Sequence, residues 1–236
     1  MIAETMPRLI ERMLSAERSL DVGGWDTSMH AATHVIDALP FETRLGRAHD
    51  PANTPRFTKE TWLQLDINDR RPWPFPDRYF DFCMCSHVLE DIRDPIWVLS
   101  ELSRVSKAGY LETPRPAAEL LAGQRGWRPG SIGGAHHRWF VEFLPAESRV
   151  EFRMKPYDLL KQGIALRYWT PVNDHAWTEF NQGMFWEGGV TGSEVFYSEE
   201  TAYAYARALV PAARSLVKFQ PLARPLGILG RLLRGA

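Results

Sequence analysis

Three histidines stand where a side chain that exchanges protons at neutral pH would be useful. His136 and His137 are adjacent and open a segment of alternating apolar residues, and His87 follows a short apolar run. An imidazole, with an ordinary pKa of about 6.5, can take a proton from a hydroxyl group. We therefore name these three as catalytic candidates, with Asp174–His175 as a weaker pair. A histidine pair that opens a strand is equally compatible with a structural role.

Metal binding is not expected from the histidines and cysteines. His136, His137 and His175 match no established spacing of metal ligands. Cys83 and Cys85 lie two positions apart on one predicted strand, so both thiols point to the same face of the sheet. They are poorly placed for a mutual disulfide, and we interpret them as core thiols of a reducing compartment.

A strand followed by two glycines opens the predicted sheet. The run Ser19–Gly24 is apolar around Asp21 and ends in Gly23 and Gly24. In a doubly wound sheet the turn after the first strand must let a ligand approach the backbone, which glycine permits. Taken alone, the glycine pair is weak evidence for a ligand site.

Two further predicted strands each end in an aspartate. His34–Ile36 is followed by Asp37, and Trp62–Leu65 is followed by Asp66. A carboxylate at such a strand end can accept hydrogen bonds from both hydroxyls of a ribose. For Asp37, an ordinary solvated turn residue is the alternative.

The elements that position these residues are clearest in residues 61–114. A helix is predicted to begin at Asp94–Pro95, because aspartate can cap it and proline suits the first helical position. Apolar residues then recur at helical spacing, and Lys107–Gly109 is expected to close the helix. Strand, loop, strand, helix and strand in this order are typical of a parallel α/β sheet. The predicted strands are 62–65, 80–86 and 110–113.

The same stretch resembles the class I S-adenosylmethionine-dependent methyltransferases of the type 11 group. Their central pattern has an acidic residue, then PFPD-x-x-FD, SHVLEH, DP, L-x-E-x-x-R-V and K-x-G-G-x-L, and it ends in a proline. The long, ordered match implies a Rossmann-like, doubly wound, mostly parallel sheet, with S-adenosyl-L-methionine as cofactor. The matching residues are Asp66, Pro74–Asp77, Phe80–Asp81, Ser86–Glu90, Asp94–Pro95, Leu99–Val105 and Lys107–Pro114.

The resemblance also implies which residues bind the donor. The first donor motif corresponds to the strand and glycines at positions 19–24, and Asp37 corresponds to the ribose ligand. Asp66 is expected near the exocyclic amine of adenine, with Ile67 against the ring, and Ser86–His87 beside the sulfonium. The implied donor-binding residues are Asp21, Gly23, Gly24, Asp37, Asp66, Ile67, Ser86 and His87.

After Gly24 the sequence departs from the family pattern. Only thirteen positions lead from Gly24 to Asp37, too few for an ordinary crossover helix followed by a strand. We expect this first crossover to be reduced to about one helical turn or to cross as a loop, with Trp25 or His30 covering the amino-acid end of the donor. The shortening keeps a second function open, a catalytically silent protein that retains the fold for binding or scaffolding. A dinucleotide-binding enzyme is a weaker alternative, because the G-x-G-x-x-G fingerprint is missing.

Beyond Pro114 the chain becomes rich in aromatic residues. His136–Phe143 and Val150–Met154 predict an antiparallel hairpin at the edge of the parallel sheet, and Ala165–Trp169 and Glu194–Tyr197 are further strand candidates. This half is expected to be an aromatic subcore, an acceptor pocket with flat apolar walls, or both. Its tryptophans are Trp127, Trp139, Trp169, Trp177 and Trp186.

We expect three regions in the chain: a donor-binding core over 1–114, the end of the sheet with an acceptor-side addition over 115–205, and a basic amphipathic tail over 206–236. We also expect an amphipathic helix over 3–17 that covers the sheet with the apolar side formed by Leu9, Ile10, Met13 and Leu14. The tail has six basic residues and no acidic one, interleaved with leucines, as in segments that lie on an anionic membrane surface. A solvated or subunit-packing tail is the alternative.

Composition limits the remaining classes of function. The formal net charge is −1, so no global field favours nucleic acid, and no apolar run has membrane-spanning length. Without a signal peptide pattern at the start, we expect a cytoplasmic enzyme, with peripheral contact at the inner membrane surface left open. The predicted activity is methyl transfer to a small molecule, sugar or lipid-linked acceptor. Oxygen is the preferred acceptor atom because histidine base candidates are present.

Overall fold

The fold was analysed in a computed structural model that describes residues 2, 4–25, 27–44, 47–48, 54–122, 134, 136–159, 161–164, 166–167 and 179–216. The α-helices are α1 (Met6–Ser15), α2 (Pro95–Val105) and α3 (Glu199–Leu216). The strands are β1 (Ser19–Val22), β2 (Thr27–Ser28), β3 (His34–Asp37), β4 (Arg47–Ala48), β5 (Trp62–Gln64), β6 (Phe82–Ser86), β7 (Ala108–Pro114), β8 (Leu121–Ala122), β9 (Trp139–Leu144), β10 (Arg149–Met154), β11 (Leu166–Arg167), β12 (Asn181–Glu187) and β13 (Thr191–Glu194).

A six-stranded sheet in the order β12-β7-β6-β1-β3-β5 forms the centre of the molecule. Neighbours from β7 to β5 pair in parallel, and β12 pairs antiparallel with β7. The predicted α/β class with a mostly parallel sheet is therefore confirmed. Since the carboxyl ends of parallel strands share one edge, the residues that follow β1, β3, β5, β6 and β7 are brought together there.

The helices on the sheet follow the sequence signals, with two corrections. Asp94 caps α2 by accepting a hydrogen bond from the backbone N–H of Trp97 at 3.0 Å, as predicted. Gly109 does not close that helix, because it already lies in β7, where a Cβ atom would come within 2.7 Å of Cys83 Sγ and the Trp186 ring. In α1, Leu14 was expected on the apolar side but is 53% exposed.

The first crossover passes from β1 to β3 without a helix in its described residues, 23–25 and 27–33. Instead, β2 pairs in parallel with β4. Of the two predicted possibilities, the loop is therefore the one observed. A crossover without a helix leaves backbone N–H groups that have no helical partner. Side chains must accept their hydrogen bonds, and two aspartates described below do so.

The proline-rich loop before β6 is held by α2. Glu101 accepts a hydrogen bond from the Trp73 backbone N–H at 2.7 Å, and Arg104 donates to the backbone carbonyls of Trp73 and Phe75 at 3.0 and 2.7 Å. Arg104 also pairs with Glu101 at 2.7 Å, so the two helical side chains form one clamp. This clamp fixes the segment that leads from β5 to β6.

The hairpin of β9 and β10 forms as predicted but lies elsewhere than expected. The two strands pair antiparallel and join β13 in a separate three-stranded sheet, so they do not extend the central one. The antiparallel edge of the central sheet is β12, whose Trp186 packs where Gly109 leaves space. Glu194–Tyr197 contributes only Glu194 to a strand.

Several predicted features fall outside the described residues. Among the helices that the structure does describe, none has the length and apolar character needed to cross a membrane. The helix α3 begins in the 115–205 region and runs into the predicted tail, with Ala206 and Ala213 buried. Outside the described ranges lie Trp127, Trp169, Asp174, His175, Trp177 and residues 217–236.

Candidate active site

The predicted donor residues gather along one edge of the central sheet. Gly23 and Gly24 follow β1, Asp37 ends β3, and Ser86 ends β6. Since β6, β1 and β3 are neighbours, the three strand ends are adjacent in space. The sequence therefore predicted their placement correctly, while their roles in donor binding remain predictions.

The turn after β1 requires its first glycine. Gly23 is exposed and has a φ of +81°, a conformation that side chains rarely adopt. A Cβ atom there would lie 2.3 Å from Cγ2 of Val88, so the loop after β6 packs directly on this turn. The turn presents accessible backbone, as the approach of a ligand requires.

Asp21 and Asp37 fasten the crossover that replaces the usual helix. Asp21 is buried, and its Oδ2 accepts a hydrogen bond from the backbone N–H of Met29 at 2.8 Å. Asp37 accepts from the backbone N–H groups of Trp25 at 3.0 Å and Leu39 at 2.8 Å, one on each oxygen. Burial raises the pKa of Asp37, although these two hydrogen bonds act in the opposite direction.

Asp66 and Ile67 lie at the turn after β5. Asp66 is exposed, and its Oδ1 accepts hydrogen bonds from the backbone and side-chain N–H groups of Asn68 at 2.9 and 3.1 Å. Ile67 packs against the central core from a half-buried position. Arg93 donates to the Asn68 carbonyl at 2.8 Å and thereby ties this turn to the segment after β6.

The residues present are compatible with S-adenosylmethionine. The Ser86 hydroxyl is buried and has no hydrogen-bond partner among the described residues, so a polar ligand group would satisfy it. Each Asp37 oxygen uses one lone pair on the backbone and retains another for a ribose hydroxyl. The accessible turn at Gly23 provides the third feature of the fit.

His87 is held between two carboxylates at the end of β6. Its Nδ1 lies 3.2 Å from Glu90 Oε1 and its Nε2 lies 3.4 Å from Glu112 Oε1. Burial disfavours the imidazolium, but the contacts with Glu112 and Glu90 outweigh it and raise the pKa of His87 to about 9. With a φ of +55°, the residue is also fixed in a left-handed turn. At neutral pH, His87 is therefore a cation with both ring nitrogens protonated, and it has no lone pair to accept a proton.

Glu112 anchors this arrangement from β7, where it is fully buried. Its Oε2 accepts hydrogen bonds from the Tyr110 hydroxyl at 2.7 Å and the Ile2 backbone N–H at 3.1 Å. Burial opposes ionisation, but the contacts with His87 and Tyr110 contribute to holding the pKa of Glu112 at about 2. The carboxylate thus joins the start of the chain, the sheet and His87.

The other two predicted histidines belong to a neighbouring cluster. His137 Nδ1 lies 2.6 Å from the buried Glu119, which also pairs with Lys155 Nζ at 2.6 Å. The Nε2 atoms of His136 and His137 face the Asp91 carboxylate at 3.4 and 3.7 Å. All three predicted histidines thus contact residues 90–91 or 112 at the carboxyl side of β6 and β7.

The pKa values in this cluster diverge. Burial, assisted by the charge of His137, lowers the pKa of His136. For His137, burial acts downward, but the hydrogen bond to Glu119 prevails and raises the pKa. Burial raises the pKa of Asp91 to about 7. At neutral pH, His136 is therefore the histidine whose neutral form is favoured.

Backbone hydrogen bonds place the histidine pair beside the loop that follows β6. The backbone N–H groups of Arg138 and Trp139 donate to the Glu90 carbonyl at 2.7 and 3.3 Å. Nε1 of Trp139 donates to the Ile92 carbonyl at 2.9 Å. The segment entering β9 is thus fixed along residues 90–92, which continue directly from the predicted donor residues Ser86 and His87.

Four charged residues of the site were missed at the level of the sequence. Glu112 and Glu119 could have been noticed, because each is a carboxylate within an apolar run. Asp91 stands where the family pattern has histidine, and Lys155 follows β10 without a distinguishing pattern. Their contacts with the predicted histidines and with one another become visible only in the folded structure. These residues are Asp91, Glu112, Glu119 and Lys155.

Comparison with known proteins gives one family match. Residues 27–111 match the family model described as a methyltransferase domain. The matched region begins after β1 and its glycines and ends within β7. It agrees with the resemblance found in the sequence and with the assignment of S-adenosylmethionine as the cofactor. No curated protein matches the chain significantly.

The solved structures that match this chain share little sequence with it and have low TM-scores. The Mesorhizobium loti S-adenosylmethionine-dependent methyltransferase is 18% identical, with 68% of this chain and 72% of that one covered and a TM-score of 0.33. An Aquifex aeolicus S-adenosylmethionine-dependent methyltransferase is 18% identical over 54% and 68% of the two chains, with a TM-score of 0.34. A chain of the Haloferax volcanii complex between the Trm112 methyltransferase activator and a methyltransferase is 20% identical, with a TM-score of 0.33. That alignment covers 47% of this chain and spans about half, 51%, of the Haloferax chain.

Proposed function

We propose that this chain, whose residues 27–111 match the methyltransferase-domain family model, methylates a hydroxyl oxygen of a small molecule, a sugar or a lipid-linked acceptor. S-adenosylmethionine supplies the methyl group on a positively charged sulfur. The new O–C bond forms as the S–C bond breaks, the sulfonium becomes a neutral thioether, and the hydroxyl proton leaves. The chain must therefore align two molecules and take up one proton.

Residues at the carboxyl edge of the sheet align the donor with the acceptor. Asp37 has lone pairs left for the ribose hydroxyls, and the buried Ser86 hydroxyl offers an unused hydrogen-bonding group. The turn at Gly23 exposes backbone to the ligand. His87, as a fixed cation between Glu90 and Glu112, orients the loop after β6 and does not act as the base.

Proton uptake falls to His136. Its neutral form is favoured at neutral pH, and about half of its side chain is exposed, so an acceptor can reach it. His137 is engaged at Nδ1 by Glu119 and positions the pair. The observation that carries the choice of oxygen is this continuity between residues 86–91 and the histidine pair, since a hydroxyl nucleophile needs a base and an aligned donor together.

The first test measures donor binding and methyl transfer separately. Calorimetric titration with S-adenosylhomocysteine should show binding to the wild-type protein. Transfer of an isotopically labelled methyl group should then be measured with hydroxyl-bearing sugars, small phenols and polyprenyl-linked sugars. His136→Gln should retain donor affinity and lose turnover, and its residual rate should no longer fall at acidic pH, where protonation of the base slows the wild-type enzyme.

Two outcomes would overturn the proposal. Absence of donor binding at millimolar concentration in folded protein would favour the scaffold function that the shortened crossover left open. Methyl transfer to nitrogen or sulfur acceptors, with none to any hydroxyl, would show that the protein is a methyltransferase but that oxygen is not its acceptor atom. The matched control for His136→Gln is His34→Gln, a histidine at the amino end of β3, the opposite end of that strand from Asp37.

A further inference from the structure

Asp91, His136 and His137 converge on one point, although they come from two distant parts of the chain. The candidate ligand atoms, one from each side chain, all lie within 4.8 Å of one another. The spacing of the histidines in the sequence gave no reason to expect a metal, because the third ligand follows β6 and cannot be read from positions 136 and 137. We infer that these three side chains form a binding site for a divalent cation of the zinc class.

The distances fit coordination better than hydrogen bonding. Charge-assisted N–H···O bonds measure about 2.7–2.9 Å, and His137 makes such a short bond to Glu119 at 2.6 Å. The contacts of Asp91 with Nε2 of His136 and His137 are longer, at 3.4 and 3.7 Å. Ligands around a tetrahedral zinc with bonds of about 2.0–2.1 Å are about 3.3–3.4 Å apart. The separation of His136 from Asp91 thus matches the spacing of two zinc ligands, and the other separations in the cluster would shorten as the side chains close on an ion.

Glu119 supplies the second shell that such a site requires. It accepts a hydrogen bond from His137 Nδ1, so Nδ1 keeps its proton, and loss of the Nε2 proton on cation binding would leave a lone pair that faces Asp91. A carboxylate behind a ligating histidine is the usual way in which metal sites fix the tautomer. Lys155 balances the buried charge of Glu119 from the other side at 2.6 Å.

The Asp91 carboxylate is also poorly satisfied without an ion. Its Oδ1 is buried and makes no hydrogen bond to a described residue. The Arg138 guanidinium donates to the Asp91 backbone carbonyl at 3.1 Å and leaves the carboxylate to face the histidines. A buried acceptor of this kind requires a partner, and a cation between two imidazoles would provide it.

The ligand set selects the kind of metal. Two imidazoles and one carboxylate suit zinc and its first-row neighbours, whereas magnesium and calcium prefer oxygen ligands alone. Three protein ligands leave at least one position open, as in catalytic zinc sites. An acceptor hydroxyl bound there would have its pKa lowered, and its proton would pass to solvent. This use of the site rests on the proposed function; cation binding itself does not.

With the cation bound, His136 would change its part in the reaction. The Nε2 lone pair that would accept a proton is then used for coordination, and the cation promotes proton loss from the acceptor instead. His136 therefore cannot act as the base and as a metal ligand at the same time. Experiment can distinguish these two roles, because only one of them depends on a metal.

The test uses untagged, chelator-treated protein and metal ions alone. Titration with Co²⁺, followed by its visible absorption, should give one saturable site, and Zn²⁺ should displace the cobalt and remove the absorption. Asp91→Asn and His136→Gln should each abolish the cobalt spectrum. Glu119→Gln should weaken binding by about 10–100-fold, the usual effect of a lost second-shell partner.

The controls make failure of the metal site distinguishable from failure of the proposed function. His34→Gln, at the amino end of β3 and away from the cluster, should bind cobalt as the wild type does, and each variant should still unfold cooperatively and keep its affinity for S-adenosylhomocysteine. A wild-type protein that binds no cobalt, or variants that all bind it equally, would overturn the site while leaving donor binding untouched. Loss of donor binding with cobalt binding intact would overturn the function and leave the site.

Discussion

The backbone N–H of Trp25 donates a hydrogen bond to Asp37 Oδ2 over 3.0 Å, although Trp25 belongs to the turn after β1 and Asp37 ends β3. Together with the bond from Met29 to Asp21, it fastens a crossover that has no helix among its described residues. Asp37 thus has two tasks in one site. It satisfies backbone that a helix would otherwise satisfy, and it remains the residue proposed for the donor ribose.

We predict that Asp37→Ala weakens S-adenosylhomocysteine binding by about 10–100-fold. A hydrogen bond to a charged group contributes about 1.5–3 kcal/mol, and this substitution removes the carboxylate that is proposed to bind the ribose hydroxyls and that holds the turn. Asp37→Asn keeps one oxygen and should lose less affinity. Calorimetric titration of both variants would check the order.

Glu11→Ala is the matched control, because Glu11 is an acidic residue on the exposed face of α1. It should bind the donor as the wild type does. Equal affinity of Asp37→Ala and the control, in folded protein, would remove Asp37 from the donor site.

The sequence was sufficient to predict the elements around Asp37 but not the cluster of charged residues around Glu119. The short apolar runs and the Asp94–Pro95 helix start encode their structure locally, so β3, β5, β6, β7 and α2 could be predicted. Glu119 and Lys155 are far apart in the chain, and their partnership depends on tertiary packing. The predicted position of the β9–β10 hairpin was wrong for the same reason, because both sheets offer strand partners and, among the described strands, β12 is the one that pairs with the free edge of β7.

A second prediction concerns the dependence of stability on pH at His87. The pKa is about 9 in the folded protein against 6.5 for the free side chain. The folded state therefore retains a proton that the unfolded state releases between these values. The stabilisation is fully present below pH 6.5 and is lost as the pH rises through about 9. Urea unfolding across this range should show a free energy of unfolding that declines with pH.

His87→Asn should flatten that decline. Asparagine tolerates the left-handed conformation at this position, so the variant tests the charge with little added backbone strain. An unchanged slope in His87→Asn would show that the proton responsible is elsewhere.

A third prediction concerns the loss of stability in acid, which should depend on Glu112, the carboxylate partner of His87. Glu112 has a pKa of about 2 against an ordinary 4.5, so its stabilisation is present above pH 4.5 and lost as the pH falls through about 2. Glu112→Gln should lower stability at neutral pH, because His87 and Tyr110 lose a charged partner. Its unfolding free energy should also change less between pH 4.5 and pH 2 than that of the wild type.

A fourth prediction couples Gly23 to Val88 across the turn. Gly23→Ala places a Cβ atom 2.3 Å from Val88 Cγ2 at a φ of +81°. Left-handed strain and overpacking together should lower the free energy of unfolding by roughly 2–4 kcal/mol. In Gly23→Ala/Val88→Ala the nearest remaining contact, the Val88 Cβ at 3.7 Å, is ordinary, so the overpacking part should be recovered.

A double-mutant cycle measures this coupling in denaturant unfolding. The double variant should be more stable than the sum of the two single effects predicts, by about 1–3 kcal/mol. Strict additivity would mean that the turn moves away from the loop after β6 at no cost. Donor titration of the same variants would report whether the turn geometry matters for the ligand.

The basic tail gives the last prediction, and α3 fixes where to cut the chain. Ala206 and Ala213 are buried, so truncation should follow Leu216 and remove residues 217–236 only. The removed segment carries four basic residues and no acidic one, and each basic residue near an anionic surface is worth about 1 kcal/mol. We expect the full chain to sediment with anionic vesicles and not with zwitterionic ones, and truncation to abolish this.

Salt and a charge-matched variant separate electrostatic binding from apolar insertion. Replacement of the four basic residues of 217–236 by glutamine keeps the leucines, and it should reduce binding as strongly as truncation does if charge dominates. Phe196 is 84% exposed beside the start of α3, and Phe196→Ser tests an apolar contribution from the described part of the chain. If vesicle binding is unchanged by truncation, the tail has no membrane role, and loss of binding in Phe196→Ser would then assign the membrane contact to the surface around Phe196.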